Sequence, residues 1–126
     1  MKKELIAAGL LLLIFAGGCL NIFLIRGITD DVLSLTESAE FSAVSGDWKS
    51  AENAAEAAIA LWEESRTYTH VILHHSEHDG ASDTLYGLLA AIYSRSPGDA
   101  AVTAGQVRAR FTGITEMESL MLESIF

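Results

Sequence analysis

The sequence predicts an all-α protein in which an N-terminal transmembrane helix leads into an antiparallel bundle of three to four helices. Three observations predict it: the chain opens on an uncharged apolar run, apolar residues then recur at three-four spacing, and helix stop and start signals divide the rest. The single proline, Pro97, and many Ala, Leu and Glu residues agree with helix. The 126 residues provide one anchor, residues 1–26, and one domain with a modest core, residues 27–126.

The anchor reads LIAAGLLLLIFAGGCLNIFLI from Leu5 to Ile25, 21 residues without a charge. At about 1.5 Å per residue it spans roughly 30 Å, the thickness of a bilayer core. Lys2 and Lys3 precede it and only Arg26 follows directly. Positive charge stays inside, which predicts a cell-membrane protein with a cytoplasmic N-terminus and the domain from Gly27 onward outside. A cleaved signal peptide is the first rival, but the apolar run continues well past any small-residue cleavage site. The second is a lipobox at Ala16-Gly17-Gly18-Cys19, with Cys19 lipidated; the apolar LNIFLI that follows contrasts with the polar tether usual in lipoproteins. All three readings put the domain on the same side.

The outer domain is acidic. The net charge is −9, and Gly27 onward carries five basic against sixteen acidic residues, a balance near −11. Such a surface repels nucleic acid and anionic headgroups. Cys19 is the only cysteine, so helix packing and not disulfides must hold the domain.

In the first outer segment Ile28, Val32, Leu35, Ala39 and Ala43 make one helical face, and with no proline before it the membrane helix is expected to run on as a stalk. Ser45-Gly46-Asp47 ends it, with Asp47 capping the next helix. From there Trp48, Ala51, Ala55, Ala58, Trp62, Ser65, Thr69 and Ile72 form a seam of alternating threes and fours. Gly80 is the expected second break, and Ser82 or Asp83 the next cap, before a helix carrying Leu85, Leu88, Leu89, Ile92 and Tyr93. Ser96-Pro97-Gly98-Asp99 is a turn with Asp99 as the expected cap. The last helix carries Val107, Phe111, Ile114, Met117 or Glu118, and Met121. The apolar tail Leu120, Leu122, Ile125 and Phe126 is expected to dock back on the bundle. Short loops favour antiparallel neighbours.

These landmarks resemble a known family. Gly46-Asp47-Trp48-Lys49-Ser50-Ala51-Glu52, then Trp62, then His75-Ser76-Glu77-His78-Asp79, then Ile114-Thr115-Glu116-Met117-Glu118-Ser119-Leu120 and Ser124-Ile125-Phe126 are similar, in order and over the whole chain, to domain-of-unknown-function family 4363. Its members are small bacterial proteins, mostly from Firmicutes, with an N-terminal membrane segment. The resemblance implies an anchored helical protein and supplies no activity. His78 departs from the Ile or Leu usual there, Ser124 from Asn, and Gly98, Gly105 and Gly113 from better helix formers.

The chemically suggestive residues are His70, His74 and His78, which recur every four residues beside His75, Glu77 and Asp79. Imidazoles at that spacing share a metal ion when they face one way. Counted from the Trp48–Trp62–Ile72 seam they point to the opposite side, which makes them solvated or helix-capping histidines; a metal or proton-sensing site is the alternative. The order lacks the HExxH of a zinc hydrolase. Glu52, Glu56, Glu63 and Glu64 read as a solvated face. Trp48 and Trp62 read as core, with a groove for a partner helix as the sharper alternative. No nucleophile with an orienting base, and no phosphate loop, is present. The expected function is therefore a membrane-anchored extracytoplasmic structural or protein-interaction module, without cofactor or enzymatic activity, acting through a protein partner or self-association along its helix seams. The alternative is a metal- or pH-responsive envelope protein using the histidine stripe.

Overall fold

A computed structural model of the chain describes residues 1–65 and 75–125. Four helices account for them: α1 (Lys2–Val44), α2 (Trp48–Glu64), α3 (His75–Tyr93) and α4 (Pro97–Ile125), with no strand among the described residues.

The 43 residues of α1 form one unbroken helix, about 65 Å long. Gly27 does not interrupt it, so the helix that begins with the apolar run continues as a stalk. Its two halves differ in surroundings. Leu5, Leu12 and Phe23 are more than 70% exposed, whereas Ile25, Thr29, Val32, Thr36, Ala39 and Ala43 are buried at helical spacing. The expected face therefore turns slightly: Ile28 and Leu35 flank the core, and Thr29 and Thr36 enter it. The Thr36 hydroxyl meets its need by donating to the Val32 carbonyl at 2.8 Å.

The turn into α2 follows the sequence. Gly46 adopts φ 83°, a left-handed conformation that costs glycine least. This lets its N–H donate to Ala43 O and that of Asp47 to Ser42 O, at 3.2 and 2.8 Å, closing a Schellman motif. Asp47 caps α2, accepting from the Ser50 N–H and hydroxyl at 3.2 and 2.7 Å. Both bonds favour the charged carboxylate and hold it below its usual range.

The seam holds through Trp62: Ala51, Ala55, Ala58 and Trp62 are buried and Trp48 packs half-buried against them. The helix then ends at Glu64, where the Ser65 hydroxyl donates to the Trp62 carbonyl. Thr69 and Ile72, the last expected seam positions, lie outside the described residues.

Helix α3 corrects the expected break at Gly80, because it begins at His75 and passes through Gly80. The bare Cα there faces α4: a Cβ would stand 3.1 Å from Cζ of Arg110. The glycine is an accommodation for a neighbouring guanidinium and not a stop. The helix closes on a second Schellman motif built without glycine. Arg95 takes φ 54°, its N–H donates to Ile92 O at 3.0 Å, and Ser96 N–H donates to Ala91 O at 3.3 Å.

Ser96, and not Asp99, caps α4: its hydroxyl oxygen accepts from the Asp99 N–H at 3.3 Å. Pro97 takes the first helical position, where it loses no hydrogen bond, and Asp99 serves the first turn as a charge. Ala100, Ala104, Val107, Phe111 and Ile114 are buried; Met117 and Leu120 are exposed. Of the tail expected to dock on the bundle, the backbone to Ile125 continues α4 and Leu120 is 62% exposed; the side chains of Leu122 and Ile125, and Phe126, lie outside what is described.

Each helix packs on the next and α4 returns to α1, making an up-down-up-down ring of four. The core is alanine-rich where α1 and α2 meet, through Ala39, Ala43, Ala51, Ala55 and Ala58, which allows close approach, and its bulk comes from Trp62 and Phe111 with the Leu and Ile of α3. Arg108 donates to Glu40 across α4 and α1, and this bond is the main reason its guanidinium is held above its ordinary range. The Tyr93 hydroxyl donates to Glu56 at 2.7 Å across α3 and α2; that bond, before any charge effect, raises the phenol above its ordinary range.

Candidate functional site

The densest side-chain constellation lies where α2, α3 and α4 meet. Trp62, 1% exposed, projects inward from the last turn of α2. Its indole stacks on His78, ring centroids 4.9 Å apart and planes 13° from parallel. Phe111 meets the same indole edge-on at 4.8 Å and 77°. Such contacts add to area burial. The Trp62 Nε1–H donates to the His78 carbonyl at 3.5 Å, a long bond that fixes the ring's orientation. At the rim the Ser82 hydroxyl donates to Glu63 at 3.3 Å.

His78 is thus fully buried, where the sequence reading placed it on a solvated stripe opposite the core. The physical reason is phase. The phase of the α2 seam does not govern His78, since that helix stops at Glu64. His78 follows the phase of its own helix: with Ala81, Leu85, Leu88 and Ile92 it forms a three-four stripe, every member buried. Extending the leucine stripe of α3 backwards by two turns is the signal that finds it. The position at which the family resemblance implies Ile or Leu is accordingly a core position. His70 and His74 lie outside the described residues. Among the described residues no group of three His, Cys, Asp or Glu side chains is placed to hold a metal ion.

Trp62 is core, as expected, and Trp48 covers the top of the same face. The alanine stripe between them is filled by α1, so within the chain it is no open groove for a partner helix. The surface formed by described residues carries shallow grooves. One runs between α3 and α4 along Thr84, Gln106, Arg110 and Gly113. A second joins Phe41 and Val44 of α1 with Arg108, beside Glu37 and Glu40. A third joins Arg26 of α1 with Thr115, Glu116 and Leu120 of α4.

A small all-α protein is thereby defined, with one helix long and apolar enough to cross a membrane leading into a four-helix bundle. Residues 20–125 match the family described as Domain of unknown function (DUF4363), and the chain belongs to that family. No curated protein and no solved structure gives a significant match.

Proposed function

We propose that this protein is a single-pass membrane-anchored module whose helical bundle stands on the outer face of the membrane and works through protein contacts rather than catalysis. The observation that carries the reading is the split character of α1. One half is an exposed apolar rod without a charge from Leu5 to Leu24; the other half is a core strut of the bundle. A rod of that length, largely exposed among the described residues, is matched to a bilayer. Lys2 and Lys3 at its start support a cytoplasmic N-terminus. Supporting a scaffold or interaction role, the polar and aromatic groups of the densest cluster are spent on packing, and the surface is acidic and grooved.

Protease added to intact protoplasts expressing the full chain is expected to remove the bundle and leave the first two dozen residues with the membrane. Protection of the bundle until the membrane is permeabilised overturns the orientation. Recovery of the whole chain in the soluble fraction overturns the anchor.

A further inference from the structure

We infer that the end of α4, from Met117 to Ile125, is a second membrane-contacting element, lying in the headgroup–acyl boundary of the leaflet beside the bundle. This rests on the anchored reading of α1 above. The argument is one of register. Helix α4 runs antiparallel to α1: Arg108 meets Glu40, and twelve residues further on Leu120 shares a groove with Arg26. Arg26 is the charge that closes the apolar run. From Leu120 to Ile125 the helix advances five more residues, about 7.5 Å, alongside the apolar part of α1. The outer end of the anchor and the tail of α4 therefore occupy the same layer.

The chemistry of that layer fits a lipid surface. On α1 it presents Phe23 and Leu24 and on α4 Leu120, with Met117 one turn farther out from the hydrocarbon, all of them exposed. The tail sequence MESLMLESIF alternates apolar residues with two glutamates. Glu123 is exposed, and a carboxylate there sets a limit on depth: it is tolerated among headgroups and expensive in hydrocarbon. Shallow burial, about 5–10 Å, is the regime of interfacial helices.

The test uses the full chain in phosphatidylcholine vesicles, with Cys19→Ser as background and single cysteines introduced as Leu120→Cys, Leu13→Cys or Phe41→Cys, each carrying an environment-sensitive fluorophore. At position 120 we expect strong quenching by lipid brominated near the headgroup, several-fold stronger than by lipid brominated near the chain end. At position 13 the order reverses, and at position 41 only aqueous iodide quenches. Iodide quenching at position 120, with position 13 still quenched by bromolipid, overturns the inference and leaves the anchor intact. Iodide quenching at both positions overturns the anchor reading itself. Shielding of position 120 from every quencher shows protein, such as a second copy, on this surface and also overturns the inference. Should Leu120→Cys fail to fold, Met117→Cys, one turn earlier on α4, carries the same expectation and the same refutation.

Discussion

His78 lies flat on Trp62, its imidazole 4.9 Å from the indole and 13° from parallel, with neither side chain reaching solvent. The pair joins the last turn of α2 to the first turn of α3 across residues 66–74. With the Ser82–Glu63 hydrogen bond it is one of the contacts that tie α2 to α3 at that end.

Trp62→Ala is expected to cost about 3–5 kcal/mol, the range for large buried aromatics, against a total stability of about 5–10 kcal/mol for a domain of this size. His78→Ala leaves a smaller void and is expected to cost about 2–4 kcal/mol. His78→Leu keeps volume against the indole and is expected to change stability by less than about 1.5 kcal/mol. Thermal melts of the full chain in detergent decide it. A melt unaffected by Trp62→Ala would falsify the core assignment; zinc affinity lost in His78→Leu would restore a ligand role to that histidine.

The two left-handed caps make opposite predictions. Gly46→Ala places a Cβ at φ 83° and should destabilise by about 1 kcal/mol. Arg95→Gly relieves the same strain at φ 54° and should stabilise by up to about 1 kcal/mol. Equal effects of the two substitutions on the melting temperature would show that strain at these turns is not what sets their energy.

Gly113 sits inside α4 with open space around its missing Cβ. Gly113→Ala should therefore gain about 0.5–1 kcal/mol of helix stability. Gly80→Ala should gain less, because the new methyl displaces Arg110. The reverse order in a denaturant titration contradicts the account of Gly80.

Thr29 is 2% exposed and its hydroxyl has no partner among the described residues. Thr29→Val keeps the shape and removes the buried hydroxyl, with an expected gain of about 1 kcal/mol. Thr36→Val loses a formed bond and is expected to be neutral or unfavourable. A loss at Thr29 as large as at Thr36 refutes the distinction.

The Asp47 cap gives a pH dependence with a definite sign. Its folded carboxyl is held below the ordinary 3.8 by the two Ser50 bonds. A depressed folded value means a contribution fully present above the unfolded value and lost as pH falls through the folded one. Asp47→Asn keeps a capping oxygen but does not titrate. The wild type should melt above this variant at neutral pH, and the difference should shrink below about pH 4. A difference constant down to the most acidic melt rejects the assignment.

Much of the fold was legible because its signals are local. Gly46-Asp47 and Ser96-Pro97 turn the chain where stop and start residues predict, and the seam from Trp48 to Trp62 is buried as its spacing requires. What was illegible depends on partners distant in sequence. Gly80 reads as a break until Arg110, thirty residues on, is seen to occupy the space beside it. Arg95 carries no mark of its left-handed backbone, which the flanking caps impose. His78 was misplaced because the α2 seam was carried past Glu64, when only the α3 stripe governs its direction.

The unbroken course of α1 has a consequence for recognition. With no hinge between apolar rod and core strut, a bundle held by this helix would keep a fixed tilt and a fixed height above the bilayer. A partner in the same membrane would then search by lateral diffusion alone and meet each groove already oriented. Much of the rotational freedom that two tumbling proteins surrender on docking would be given up before they met, so contacts too weak to hold in solution would suffice between neighbours on one surface.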